Sequence, residues 1–293
     1  MTTQSAQLPL LLMGPMVRRA EQSGICIQFA TSRPGNCQIT LENQQSYSEQ
    51  QSIALGKYLY LHFIIIKPVD SQFPLDTLLA YTLHINEQKI DLTPWCFEGQ
   101  TAPSFAIANK LTHILHGSCR NAHHPAKDSL VSASEWQNTQ RSNKLQGAQL
   151  LLLSGDQVYA DDVAGPMLLA IHQLIDVLGL YKEQPLELNL PADINEQLFN
   201  RHHYLPKTPW QKRSKLGVGY WLKKDEPHFS SVKAHNHLIH FEEFIALYLL
   251  NFSAAAWQCV DIKNCHYTQG NEKNNTIFNA EKKALIDYAK GLN

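Results

Sequence analysis

The sequence predicts an α+β protein in which an antiparallel β-sandwich precedes a region of α/β layers. Short apolar segments separated by turn residues fill the first third of the chain, and from Thr112 onward strand-like and helix-like patterns alternate. An uninterrupted apolar run at Leu150–Leu153 is typical of a strand that is buried on both faces of a parallel sheet. We therefore expect a sandwich over residues 1–95, a linker over 96–111 and an α/β region over 112–293.

Four segments predict the strands of the sandwich, because each is a short apolar or alternating run bounded by turn residues. They are Ile25–Ala30, Cys37–Leu41, Tyr58–Ile66 and Leu78–Ile85. The turn sequence Arg33-Pro34-Gly35-Asn36 separates the first two segments, and Pro68 ends the third. Short strands with such turns between them favour an immunoglobulin- or fibronectin-like sandwich.

Three segments of the α/β region predict helices. They are Asp128–Gln140, Val163–Leu180 and Ala234–Trp257. Pro166 lies in the first turn of the second segment and Gly179 near its end, as expected of a helix with defined limits. The third segment is the longest helical candidate, and beyond it the chain runs into the polar stretch Gly270–Asn275, which we interpret as a polar tail.

Composition and charge limit the classes of function. Hydrophobic residues make up 44% of the chain, which indicates a globular protein, and the formal net charge of −1 gives no basic footprint for nucleic acid. The six cysteines form no CxxC pair, and the apolar segment Leu8–Met13 is too short for a signal peptide or a membrane span. We therefore expect a cytoplasmic protein without a membrane partner, while the oligomeric state stays undecided.

A carboxylate, a phenol and then two more carboxylates follow the apolar run. Gly155 permits a sharp turn, Asp156 comes next, and Tyr159 lies shortly after it. Functional residues of parallel sheets lie just past the carboxyl ends of the strands, and carboxylate and phenolate oxygens are ligands for hard cations such as Fe(III), Mn, Mg or Ca. The alternative is that Asp156 is only a turn residue and that Asp161 or Asp162 caps the following helix.

A second strand-like segment ends in a similar turn. Thr112–His116 leads into Gly117-Ser118-Cys119-Arg120. A thiolate such as that of Cys119 is a metal ligand or a nucleophile, and the guanidinium of Arg120 is a forked donor suited to phosphate oxygens. The alternative for Cys119 is a buried, small apolar side chain, since that is the commonest state of a free cysteine.

The two turns together carry a family resemblance. Gly117–Arg120 followed by Gly155–Asp161 resembles the alkaline phosphatase D (PhoD-like) branch of the calcineurin-like metallophosphoesterases. The stretch Gly14–Arg19 leading into Ile25–Ser32 is also similar to the β-sandwich prodomain of that family. The resemblance implies hydrolysis of phosphomonoesters or phosphodiesters by a metal-activated water.

The resemblance also assigns roles to individual residues. It implies that Asp156 bridges two metal ions and that Tyr159 and Cys119 bind the ion that resembles Fe(III). Arg120 matches the motif and would face the phosphate of the substrate. Iron and calcium are the implied metals, with manganese or zinc as substitutes, and a phosphate ester is the implied partner.

The chain departs from the family pattern in its later part. A complete metallophosphoesterase needs further blocks, among them Gly-Asn-His and Gly-His-x-His, and neither occurs in this sequence. An acidic block with a histidine would also be expected soon after Trp257, where the chain has Gln258–Asp261. We therefore expect a partial metallophosphatase domain at the front of a longer protein, with low or no activity alone. The alternative is a non-catalytic remnant or an interaction protein built on the same fold.

Histidines offer a second candidate for metal binding. His235, His237 and His240 form the densest cluster, and the last two would share one face of a helix. Capping or polar packing at a helix start is the alternative. The remaining paired histidines have polar surroundings typical of surface loops; they are His123, His124, His202 and His203.

Two other enzyme classes are excluded by their missing motifs. The chain contains no Gly-x4-Gly-Lys-Ser/Thr loop, which a P-loop nucleotide hydrolase needs, and no Gly-x-Ser-x-Gly elbow, which a serine hydrolase of the α/β type needs. The basic stretch Trp210–Lys215 is either a solvated loop or a surface that faces an acidic substrate.

Overall fold

The computed structural model describes residues 8–69, 72–124, 126–142, 147–183, 188–205 and 234–292. The strands in these ranges are β1 (Leu11–Glu21), β2 (Gly24–Thr31), β3 (Cys37–Leu41), β4 (Ser46–Gly56), β5 (Leu59–Pro68), β6 (Leu78–Ile85), β7 (Gln88–Lys89), β8 (Ser104–Ala106), β9 (Ile114–Gly117) and β10 (Leu150–Leu153). The α-helices are α1 (Ser129–Ser142), α2 (Gly165–Leu178), α3 (Ile194–Gln197), α4 (Phe241–Phe252), α5 (Ala254–Gln258) and α6 (Glu272–Gly291). The predicted α+β class is confirmed.

The N-terminal region forms an antiparallel sandwich of two sheets. One sheet has the strand order β1-β2-β5-β4, and in the other β6 pairs with β3, β7 and β8. Strands β2, β3, β5 and β6 correspond to the four predicted segments. Alternate side chains of both sheets meet in one core, where Ile27, Phe29, Ile64 and Leu83 are fully buried.

Two further strands of the sandwich escaped prediction because they lie at the edges of the first sheet. β1 and β4 each pair on one side only. Most side chains of β4 are partly or fully exposed, so its sequence shows little apolar alternation. Pro15 interrupts the pattern of β1, and an edge strand tolerates proline because part of its N–H groups face away from the ladder.

Residues 96–111, expected to form a linker, contribute to the sandwich. Strand β8 lies in this segment and pairs with β6, with Phe105 opposite Leu79. Ile107 is buried in the sandwich core, and the Tyr81 N–H donates to the Pro103 carbonyl oxygen at 3.1 Å. The segment is therefore packed against the second sheet over part of its length.

The helical region is organised around α2, which is buried on most sides. Helices α4 and α6 pack against it. The Gly165 N–H at its start donates to Glu281 Oε2 of α6 at 2.9 Å, so a distant carboxylate satisfies the helix N-terminus. At its end Gly179 adopts φ 56°, the left-handed conformation that favours glycine after a helix. The predicted helix Val163–Leu180 is thus present, slightly shorter than expected.

Two predictions for the C-terminal region were wrong. The segment Ala234–Trp257 is a 3₁₀ turn followed by two helices, because the Ser253 hydroxyl accepts from Ala256 N at 3.0 Å and starts α5 anew. The polar stretch from Gly270 is also no tail, since it leads into α6, which buries Phe278. Its polar residues belong to the exposed face of an amphipathic helix. In the described ranges, neither α6 nor any other helix has the length and apolar character to cross a membrane.

Backbone hydrogen bonds join the sandwich to the helices. The Tyr58 N–H, beside the turn from β4 to β5, donates to Leu178 O at 2.9 Å, and the Tyr181 N–H donates to Leu55 O at 3.0 Å. Leu12 of β1 is buried in the same hydrophobic cluster as the helices. The first sheet therefore carries the sandwich core on one side and supports the helical cluster on the other.

Strands β9 and β10 form a separate parallel sheet of two strands, with Leu150 opposite Ile114. The expectation that Leu150–Leu153 is buried on both faces was wrong, since Leu150, Leu151 and Leu152 are 39%, 50% and 49% exposed. Among the described residues no third strand lies beside this pair. A parallel sheet normally has both faces covered. Successive side chains of a strand point to opposite faces, so Leu151 lies on the face opposite to Ile114, Leu150 and Leu152. We call these exposed side chains on the two faces together the leucine surface.

A buried histidine in β5 has both ring nitrogens satisfied while it is neutral. The Thr31 hydroxyl donates to Arg33 O at 2.6 Å, so Thr31 Oγ1 accepts from His62 Nε2 at 2.8 Å. His62 Nδ1 then accepts from the Ser52 hydroxyl at 2.7 Å. Burial lowers the pKa of His62 to about 4, because the charged ring would lose its hydration.

We predict that His62 makes the stability of the protein depend on pH in the mildly acidic range. Its contribution is fully present above the unfolded pKa of about 6.5 and is lost as the pH falls towards the folded pKa of about 4, because the unfolded chain takes up the proton first. Denaturant unfolding near neutral pH and at about pH 5.5 measures this loss. His62→Gln keeps a neutral polar group and should lose less stability. Equal losses in the two proteins would contradict the prediction.

Candidate metal site at the ends of the parallel strands

The register of β9 and β10 brings two loops together. Gly117 pairs with Leu153, so both strands end at the same level. The pairing continues into the loops, because Cys119 N donates to Gly155 O at 3.1 Å and Arg120 N donates to Asp156 O at 3.0 Å. The two sequence motifs, which are far apart along the chain, thus lie side by side at the carboxyl edge of the sheet.

Two of the three candidate ligands occupy an unusual backbone conformation. Cys119 has φ 61° and Asp156 has φ 53°, values in the left-handed region that residues with a β-carbon rarely adopt. Gly155, just before Asp156, has φ 151°. Strained backbone of this kind is concentrated at functional sites, where it aims a side chain that a regular turn would direct elsewhere.

Three acidic side chains meet at this edge. The Cys119 Sγ lies 3.2 Å from Asp156 Oδ2, and both residues are exposed. The half-buried Tyr159 hydroxyl is hydrogen-bonded to Cys119. That hydrogen bond, burial and the nearby negative groups of Cys119, Asp156 and Asp161 raise the pKa of Tyr159 to about 12. Crowded acidic groups of this kind lower their mutual repulsion when a cation lies between them.

The donors suit one cation in number and in chemistry. Carboxylate and phenolate oxygens with a thiolate give three anionic donors, a set that favours an ion of high charge. Within the described ranges, no group of three or more His, Cys, Asp and Glu side chains is arranged to hold a metal ion; the trio here has two of these and a tyrosine. The trio offers donors for one ion at most, and the described residues add no second set of ligands across Asp156.

Arg120 does not have the role expected of it, since its guanidinium points into the interior. Arg120 Nη2 lies 2.5 Å from Asp128 Oδ2, and Nη1 donates to the Asn251 carbonyl oxygen. The rings of Phe252 and Tyr288 lie 5.3 and 5.1 Å from the guanidinium carbon. These contacts connect the loop after β9 to α1, α4 and α6. The side chain is only 7% exposed, so it leaves no face for a phosphate.

A small cleft beside Tyr159, with apolar and polar side chains in its wall, was missed by the sequence analysis. It is lined in part by Asn121, His123, Tyr159 and Asp162. His123 Nε2 lies 3.4 Å from Asp162 Oδ1, and Asn121 Nδ2 donates to Asp162 Oδ2 at 3.1 Å. His123 was expected on a surface loop, but its side chain is 14% exposed. The signal available in the sequence was the carboxylate pair after Tyr159.

The structure contradicts two of the alternative interpretations of these loops and agrees with the third. The N-cap of α2 is Ala164, so neither Asp161 nor Asp162 caps that helix. Cys119 is exposed and therefore is not a buried apolar side chain. Asp156 lies in a turn, as the simpler reading required, but its carboxylate also accepts the Cys119 thiol hydrogen.

The predicted histidine cluster is separated by the fold. His240 is the N-cap of α4, where its N–H donates to Glu243 Oε2 at 3.2 Å. His237 is buried with Nδ1 against Leu238 O, and His235 is exposed. The three side chains therefore form no common site. The basic stretch Trp210–Lys215 lies outside the described residues.

Comparisons of the chain with family models, with curated proteins and with solved structures found no match. The class of protein and its chemistry therefore have to come from the residues of the site and their arrangement.

We predict that Arg120 matters mainly for stability. Arg120→Met leaves the Asp128 carboxylate almost buried without its partner, which should lower the free energy of unfolding by about 3–5 kcal/mol. Denaturant unfolding measures the loss. As a matched control, Lys182→Met removes an exposed ion pair with Asp176 and should cost less than about 1 kcal/mol.

A double-mutant cycle separates the ion pair from the packing. Combining Arg120→Met with Asp128→Leu should cost clearly less than the two single changes added together, because no unpaired charge remains. A cost for Arg120→Met as small as that of the Lys182 control would show that Arg120 is free for another role.

Proposed function

We propose that this chain forms part of a metal-dependent phosphoesterase of the PhoD-like type, which hydrolyses phosphomonoesters or phosphodiesters. The observation that supports the proposal most directly is the meeting of Cys119, Asp156 and Tyr159 at the carboxyl ends of two parallel strands. Two of these residues occupy strained backbone that directs their side chains to one place. Their order and spacing in the sequence resemble those of the family motif.

Each residue of the candidate site has a defined role in this proposal. Cys119, Asp156 and Tyr159 would hold an ion of the iron type. When bound, such an ion lowers the pKa of a water molecule and polarises a phosphoryl oxygen. Tyr159 also lines the small cleft of Asn121, His123 and Asp162, whose space suits a water molecule rather than an ester. Arg120 holds the loop after β9 in place through its nearly buried ion pair with Asp128.

The ligand count limits what the chain can do by itself. In-line attack on a phosphate in two-metal sites requires both ions. The described residues hold three donors for one ion, so we propose turnover at background rate for the chain alone.

All six cysteines are free thiols, and we propose that the protein is located in the reducing cytoplasm.

We predict that the chain binds Fe(III) weakly and that binding depends on the trio. Phenolate and thiolate ligands give Fe(III) a visible charge-transfer absorption, which allows a titration. Asp156→Asn and Cys119→Ser should each weaken binding at least about tenfold, as loss of a ligand costs no less than loss of its supporting groups. Asp176→Asn, an exposed carboxylate change on α2, should leave the titration unchanged.

Activity tests the proposed chemistry separately from binding. Joined to the later ligand blocks of a PhoD-like enzyme, the chain should hydrolyse an aryl phosphate or a diaryl phosphate, and Asp156→Asn should abolish this turnover. A joined protein that is active and loses less than about threefold, under about 1 kcal/mol, on Asp156→Asn would exclude Asp156 as an essential ligand. Unchanged iron absorption in the same variant would exclude the metal site itself.

The leucine surface favours a second candidate, an interaction protein without turnover. Ile114, Leu150, Leu151 and Leu152 are between 39% and 51% exposed on one small sheet. Contiguous apolar side chains at an open strand edge invite pairing with another chain. This function would need no metal at Asp156.

We predict that the chain self-associates through the leucine surface. Sedimentation velocity over a range of concentrations should show association of the wild type, and Leu151→Lys should reduce it because a charge would then lie in the contact. Unfolding free energies should stay within about 0.5 kcal/mol, since Leu151 is half exposed. Ile53→Lys places the same charge at an isolated, equally exposed position on β4 and should not reduce association. Equal association of wild type and Leu151→Lys would contradict the prediction.

A further inference from the structure

Two histidines from distant parts of the chain face each other at the surface. His202 Nδ1 lies 3.1 Å from His235 Nδ1, and the ring centroids are 4.6 Å apart with the rings at 84°. The residues are 33 positions apart in the sequence and belong to two short 3₁₀ turns, Arg201–His203 and Ala234–Asn236. The ring of His203 lies against that of His202, with centroids 3.8 Å apart and a tilt of 42° between the rings. The arrangement differs from the predicted cluster, in which His235 was grouped with His237 and His240.

The two facing nitrogens can share one hydrogen, or both can bind one metal ion. Both are Nδ1 atoms, so at most one of the two can carry a hydrogen in this geometry, and the other must accept it. A metal ion can replace that single proton. With metal–nitrogen bonds of about 2.0–2.1 Å, two imidazole nitrogens on one ion lie about 2.9 Å apart at a right angle and about 3.4 Å apart at a tetrahedral angle. The observed separation of 3.1 Å lies within this range.

We propose that His202 and His235 bind one divalent transition-metal ion through their Nδ1 atoms. Imidazole nitrogen suits Zn²⁺, Cu²⁺ and Ni²⁺, and water would complete the coordination. His235 is exposed and His202 is half-buried. The site shares no residue with Cys119, Asp156 and Tyr159, and the inference is independent of the phosphoesterase proposal.

The residue before His202 anchors its side of the site. Arg201 is fully buried, with Nη1 donating to His237 O at 2.9 Å and Nη2 donating to Glu243 Oε1 at 2.6 Å. Burial opposes ionisation of Glu243, but hydrogen bonds from His172 and Arg201 outweigh it and hold the pKa of Glu243 well below its usual range. The pair stays charged, and the turn that carries His202 is fixed against α4.

The residue after His235 anchors the other side. Asn236 is 3% exposed; its Oδ1 accepts from Phe199 N at 2.7 Å, and its Nδ2 donates to Val163 O at 3.0 Å. Phe199 itself has φ 61°, so the chain accepts a strained residue at this junction. Two buried polar anchors, each next to a ligand, hold the imidazoles in place before an ion arrives, which is the condition for a preorganised site.

The ion would act as a cross-link between the two turns. It binds only where both histidines are brought together, and the unfolded chain has to close a 33-residue loop to offer the same pair. Binding to the folded state alone raises the unfolding temperature as the free ion concentration increases. The chemistry expected of the site is therefore structural.

Zinc binding in the full chain tests the site. Isothermal titration with Zn²⁺ should show a site that is weakened at least about tenfold by His202→Ala and by His235→Ala, with a matching loss of the zinc-dependent rise in unfolding temperature. His84→Ala removes a histidine of β6 in the sandwich and should change neither quantity. Cys119→Ser should also leave the site intact, which separates it from the candidate iron site.

Copper provides a readout that does not depend on how the variants fold. Electron paramagnetic resonance of the wild-type chain with about one equivalent of Cu²⁺ should show two imidazole nitrogens. His202→Asn and His235→Asn keep a polar side chain and should each leave one. Unchanged zinc affinity in both alanine variants, or a copper spectrum with two nitrogens in either asparagine variant, would overturn the proposal.

Discussion

The candidate site depends on one constraint, the parallel pairing of β9 with β10 in the register that places Gly117 beside Leu153. Because the pairing continues past the strands, Cys119 N and Arg120 N each find a carbonyl oxygen of the opposite loop. Those two bonds hold the Cys119 thiol beside the Asp156 carboxylate. A slip of one residue would turn alternate side chains to the other face of the sheet and would separate the thiol from the carboxylate.

Arg120 shows how a residue of a functional motif can serve the fold. The sequence places it directly after a candidate ligand and suggests contact with a phosphate, but the backbone at Cys119 is left-handed and the next side chain turns inward. There Asp128 and the rings of Phe252 and Tyr288 enclose it. The strained loop is thus fixed by the nearly buried ion pair of Arg120 with Asp128. The candidate ligands Cys119 and Asp156 stay exposed, while this ion pair is shielded from water.

Sequence patterns predicted those elements of the fold whose apolar residues are buried on one face. Strands with an alternating apolar pattern, such as Leu78–Ile85, were found because one face of each packs in the sandwich core, whereas the edge strand Ser46–Gly56 lacks that pattern. The break at Ser253 was missed because a serine is tolerated within helices and only its contacts show that it caps. Cys119, Asp156 and Tyr159 could be proposed because they follow apolar runs. The pairing of His202 with His235 could not, since nothing local in the sequence relates residues so far apart.

The exposure of the leucines and the small number of candidate ligands have the same physical origin. In a parallel sheet the crossover helices that come with further strands cover the apolar faces, and the loop after each strand delivers side chains to the same carboxyl edge. Two strands provide two loops, and these supply Cys119 from one side and Asp156 with Tyr159 from the other. The same two strands leave Leu151 half exposed, because a run that predicts a covered strand has no covering layer in the described part of the chain. Whatever binds the leucine surface as an added strand would therefore also bring side chains to the candidate metal site, so that covering the sheet and completing the site are coupled.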